Sequence, residues 1–85
     1  SELYSRVLYA RDVNLISVPE IKGKMYVTAM VRYRGREEKA TVTDEGDGVI
    51  KLVFDKPQRA VTKGQAVVMY DGDTVVGGGT ICKVG

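Results

Sequence analysis

Pro57-Gln-Arg-Ala-Val-Thr-Lys-Gly-Gln-Ala-Val-Val-Met-Tyr-Asp-Gly-Asp-Thr-Val-Val-Gly-Gly-Gly79 is the stretch on which the fold is decided. Its middle, Ala66 to Tyr70, is an apolar run too short for a helix and rich in β-branched valine, so it reads as a strand. Asp71-Gly72 follows as a hairpin signal, because a type I′ turn needs positive φ at both central positions. Val75-Val76 opens the return strand, and three glycines end it where side chains would collide with something close by. Earlier strands must then pair onto this hairpin.

Working outward, the clearest alternation is Lys24 to Arg34. Val27, Ala29, Val31 and Tyr33 share one face, read as core, and Tyr26, Thr28, Met30, Arg32 and Arg34 share the other. Gly35 marks a turn, and Lys39 to Thr43 returns with Ala40 and Val42 inward. Asp44 to Gly48 reads as an acidic turn. Val49 to Phe54 is a strand with Ile50, Leu52 and Phe54 on one face, ended by Asp55-Lys-Pro57. Gln58 to Lys63 reads as a crossover with room for one helical turn, and Thr80 to Val84 completes the last strand. Upstream, Arg6 to Tyr9 is a first strand, Asp12-Val-Asn14 is turn-prone, Leu15-Ile16 continues or restarts a strand, and Val18-Pro-Glu20 is a linker. About six short strands, with turn signals every 8–12 residues or so, predict an all-β fold, a small sandwich or barrel. Barrel closure is preferred, since it removes edge strands open to aggregation. The expectation is a closed or nearly closed antiparallel barrel over 1–85.

Composition bounds the function. The 85 residues make one domain, whose core is thin because so small a chain buries only about 60% of its unfolded surface. Hydrophobic residues at 44% and charged at 28% suit a globular domain and argue against disorder. No apolar run approaches the ~20 residues of a membrane helix, and the start has no signal-peptide pattern, so no membrane partner is expected. Histidine is absent, which removes the commonest general base and zinc ligand, and Cys82 is the only cysteine. An internal disulfide is therefore impossible, cysteine-rich metal sites are excluded, and no nucleophile–base pair stands out.

Several groups could carry chemistry. Gly77-Gly78-Gly79 lacks the helix start and the Lys-Ser/Thr that a phosphate loop needs, and reads instead as a bulge or close backbone approach. Asp71 and Asp73, and Asp44, Glu45 and Asp47, read as solvated turn acids. Cys82 reads as a small core hydrophobe rather than a reactive thiol. The basic residues are more informative. Lys22, Lys24, Arg32, Arg34, Arg36 and Lys39 crowd one hairpin against Glu37 and Glu38, and Lys56, Arg59 and Lys63 form a second basic segment. Such segregation gives either a positive face for phosphates, with Tyr26 free to stack, or a solvated strand face. Gln58 and Arg59 have a structural alternative, with Arg59 bridging a carboxylate. The net charge of +2 alone does not decide.

The ordered series Pro57 to Thr62, Gly64-Gln65, Tyr70-Asp71-Gly72 and Gly77 to Gly79 resembles the end of the tRNA-specific 2-thiouridylase family. Asp12-Val-Asn14, Ile16-Ser17 and Arg32-Tyr-Arg34 look like it too, so the resemblance runs from about Ser5 to Ile81. It implies a parent enzyme that replaces the 2-oxygen of the wobble uridine of tRNA with sulfur, using ATP and a cysteine persulfide as sulfur donor. It also implies a C-terminal β-barrel similar to the second domain of elongation factor Tu. The family's Ser-Gly-Gly-Val-Asp-Ser nucleotide loop and the segments with its catalytic cysteines have no counterpart here, so no catalytic residue and no cofactor of the domain itself is carried over. The implied partners are tRNA, the catalytic domains of the same chain and, for the parent, a sulfur-relay protein; the implied location is the cytoplasm. The resulting expectation is a non-catalytic barrel that helps bind or position tRNA, with Arg32, Arg34, Arg36, Lys39 and Lys63 as candidate RNA contacts. The alternative is a structural module that docks on the catalytic domains.

Overall fold

The computed structural model describes residues 4–31 and 35–85. Six strands form: β1 (Tyr4–Leu15), β2 (Met25–Val31), β3 (Glu37–Gly46), β4 (Val49–Arg59), β5 (Ala66–Asp71) and β6 (Thr74–Val84). They close into an antiparallel barrel in the order β1-β4-β3-β2-β5-β6, as the alternating segments predict. Closure leaves no strand edge unpaired along the ring.

The inward positions follow the period-2 pattern. Val27, Ala29 and Val31 from β2, Ala40 and Val42 from β3, and Ile50, Leu52 and Phe54 from β4 are buried. Leu8, Ala10, Val67, Met69, Val76 and Ile81 supply the other three walls, and Ile21 reaches in from the β1–β2 connection. Tyr33, assigned to the same face as Val31, lies outside the described residues.

Several local expectations are corrected. The first strand is longer than Arg6–Tyr9. The turn-prone Asp12 does not end it but bulges it: Arg11 pairs with Thr80 and Asn14 with Gly78, so β1 carries one extra residue there, and Asp12 takes φ +53°. At the C-terminal hairpin Asp71 pairs with Thr74, so the two-residue loop is Gly72-Asp73, not Asp71-Gly72. Only Gly72 of that pair has positive φ, +61°, which fits a type II′ turn. The type I′ geometry falls instead at Asp47-Gly48, between the paired Gly46 and Val49, with φ +54° and +76°.

Pro57 does not end β4. The strand's pairing to β1 jumps from Val53 to Gln58, and its pairing to β3 stops at Phe54, so Pro57 sits where no ladder bond needs its missing N–H. The gap is held by side chains: Arg6 Nε donates to the Phe54 carbonyl at 3.0 Å, and the buried Gln58 donates through Nε2 to the Lys56 carbonyl at 2.9 Å. Gln58 is thus structural, as one of its two readings had it. The crossover to β5 is bends and turns, without the helical turn. The three glycines lie inside β6 rather than at its end.

Candidate nucleic-acid interface

The pairing scheme sorts the connections between the two mouths of the barrel. Because neighbours are antiparallel, the β1–β2, β3–β4 and β5–β6 connections share one mouth, and β2–β3 and β4–β5 share the other. Asp44, Glu45, Asp47, Asp71 and Asp73 therefore gather at the first mouth, all exposed. Arg36, Lys56, Arg59 and Lys63 gather toward the second, also exposed, with Glu37, Glu38 and Asp55 among them. A net charge of +2 thus hides an axial separation of sign.

Arg36 stands before β3 with its guanidinium 3.9 Å from the Glu38 carboxylate, a solvated contact worth little in stability. Lys39 projects from the outer wall of β3, opposite Thr28, whose hydroxyl donates to Glu37 at 2.6 Å. Lys39 and Lys56 line one shallow concavity together with Thr28, Glu37, Glu38 and Asp55. Lys63 is exposed in the β4–β5 turn, which is tied to β6 by the Gly64 N–H bonding to the Ile81 carbonyl at 2.8 Å. Arg32 and Arg34 lie outside the described residues.

The grouping of basic residues in one hairpin is only partly right. Lys22 and Lys24 precede β2 at the acidic mouth, and Lys22 is 3.7 Å from Glu20. The seven residues of β2 separate them from Arg36 by roughly 20 Å. Tyr26, offered for stacking, is 79% exposed on the wall of β2 and pairs with Thr41, toward the acidic mouth as well. Cys82 is half-buried, not core. Tyr9 pairs with Lys83 and Ala10 with Ile81, so Cys82 is the extra residue of a bulge, and Ile81 takes the inward position.

The sequence reading missed a second basic site. On the outer wall, Lys51 of β4 and Lys83 of β6 flank Tyr9 of β1, with ammonium nitrogens 5.9 and 5.1 Å from the ring centroid. All three are outward positions, but only the order β4-β1-β6 brings them into one row, and that order is not written in local pattern. Among the described residues, no group of His, Cys, Asp and Glu could hold a metal ion, and no helix is long and apolar enough to cross a membrane.

Residues 5–81 match the model of the aminomethyltransferase beta-barrel domain. The chain is 58% identical to the tRNA-specific 2-thiouridylase MnmA of Moorella thermoacetica over 98% of its length, and 50% identical to that of Clostridioides difficile over 96%. The MnmA of Acetivibrio thermocellus is 51% identical over 95% of the chain. In all three the matched part is 23% of the relative, so the chain spans about a quarter of the curated relatives it matches. On these matches the chain belongs to the aminomethyltransferase β-barrel domain family, as the C-terminal barrel of the tRNA-specific 2-thiouridylase type.

Proposed function

We propose that this barrel helps a cytoplasmic tRNA 2-thiouridylase hold its tRNA, and contributes no catalytic group to the ATP-dependent transfer of persulfide sulfur. The observation that carries this reading is the balance of charge between the two mouths: Arg36, Lys39, Lys56, Arg59 and Lys63 outnumber Glu37, Glu38 and Asp55 toward one, and the turn acids outnumber Lys22 and Lys24 at the other. Such a dipolar module turns its basic mouth to a polyanion and its acidic mouth away. Arg32 and Arg34 belong to the same proposal on sequence grounds. The docking alternative calls for a contiguous exposed apolar face. The large apolar residues with most exposure, Tyr4, Ile16 and Tyr26, stand instead on three different elements, which supports RNA contact over docking.

Charge reversal separates the two mouths. In the whole enzyme, Lys39→Glu/Lys63→Glu should weaken tRNA binding for all substrates alike and lower the log–log salt slope by about 1.5, the loss of two phosphate contacts. Asp44→Lys/Asp71→Lys, at the other mouth, should not weaken it. Filter binding across a salt series reads both variants. Equal affinity and slope for the Lys39/Lys63 variant and the parent would replace this reading with docking.

A further inference from the structure

We infer that the outer wall of β4-β1-β6 is a second RNA contact, a phosphodiester clamp made by Lys51, Tyr9 and Lys83; this deepens the tRNA-holding reading and rests on it. The row is continuous across four strands: Thr43 pairs with Lys51, Lys51 with Tyr9, and Tyr9 with Lys83. The two lysines come from opposite sides of β1, so the phenol stands between them and both ammonium groups are drawn to one ring. Among the described residues, neither lysine stands within ion-pair distance of a carboxylate. Two like charges gathered on one aromatic and left without an anion repel each other, and an anion between them relieves that repulsion. Arg11, two residues along β1 toward the acidic mouth and on the same face, adds a cation beside the row, 3.9 Å from Asp12.

The chemistry suits a phosphate. The two central cations are compact ammonium point charges, and an ammonium binds phosphate oxygens as a point charge, with no fork geometry required of the anion. A phenol hydroxyl between them adds a neutral donor. Cations strung along a row suit a polymer with regularly repeated charge rather than a single small anion.

The probe is a short single-stranded RNA, titrated into this chain and followed by amide NMR at two salt concentrations. Matched titrations use Lys51→Gln/Lys83→Gln, Lys39→Gln/Lys63→Gln, Tyr9→Phe and a poly-glutamate of equal charge. These positions are on the outer surface, and retained amide dispersion verifies folding. RNA should shift the amides around Tyr9, and the Lys51/Lys83 variant should lower the salt slope by about 1.4, or 0.7 per single-strand phosphate contact. Tyr9→Phe should weaken binding several-fold with the slope kept. If the Lys51/Lys83 variant loses thermal stability but keeps the slope, while the Lys39/Lys63 variant loses slope, the row is only a stabilising cation–π contact: the clamp is overturned and the basic mouth stands. If neither pair changes the slope, both readings fall. If poly-glutamate shifts the Tyr9 wall as strongly as RNA does, the surface takes acidic polypeptide and the clamp is likewise overturned.

Discussion

Gly77→Ala is expected to destabilise the barrel by about 3 kcal/mol, the upper part of the range for forcing a methyl into a packed site. A methyl group there would overlap the Asn14 carbonyl oxygen and sit 2.9 Å from Leu15 Cα, both backbone atoms that cannot rotate away. The neighbours are equally tight: a Cβ at Gly78 would lie 2.7 Å from the Val67 carbonyl oxygen, and one at Gly79 2.8 Å from that of Arg11. β6 is therefore pressed between β1 and β5 along the whole Gly-Gly-Gly run, and the glycines are what let the ring close. A chain of 85 residues has about 4–13 kcal/mol of stability in all, so the loss should lower Tm by roughly 15 °C. Gly72→Ala is the matched control. Nothing lies within 4 Å of its Cβ, so only the φ of +61° resists, at about 1 kcal/mol. Thermal melts that show the two variants equally stable would mean that close approach does not govern closure.

Phe54→Ala should cost more still, about 3–5 kcal/mol, a large share of the chain's whole stability. Phe54 is the chain's single phenylalanine and is 1% exposed. It stands where β4 leaves its regular pairing with both neighbours: Ala40 is its partner on β3, and on β1 the ladder has already broken after Val53. Removing the ring would open a cavity beside backbone already irregular, with Arg6 bonded to the Phe54 carbonyl as its brace. Phe54→Leu, which keeps most of the volume, should cost no more than about 1.5 kcal/mol. Urea unfolding reads both. A Phe54→Ala loss under 1 kcal/mol would show that the β4 irregularity closes the cavity on its own.

The fold was legible because alternation is local. Val27-Ala29-Val31 and Ile50-Leu52-Phe54 each declare an inward face within one strand, and all six are buried. Turn chemistry was legible by type but not by place. Asp-Gly occurs at both Asp47-Gly48 and Asp71-Gly72, and the register of the flanking strands decides which residues are central. Pro57 misled for the same reason: proline excludes a ladder N–H, yet a strand segment without partners has none to lose. Of the candidate site, the acidic turns and the basic Lys56–Lys63 segment could be read directly. The remoteness of Lys22 and Lys24 from Arg36 followed only once β2 was laid out between them. The Lys51–Tyr9–Lys83 row needs two pairings between strands far apart in the chain, which no local pattern encodes.

A barrel that offers RNA a basic surface should bind tRNA on its own. The most direct measurement is a titration of this chain against a cognate tRNA at two salt concentrations, read by fluorescence anisotropy of labelled tRNA. Weak binding without sequence preference is expected, falling as salt rises with a log–log slope of about 0.7–0.9 for each phosphate contacted. Absence of binding at the lower salt, or binding indifferent to salt, would contradict it and leave the barrel a docking module.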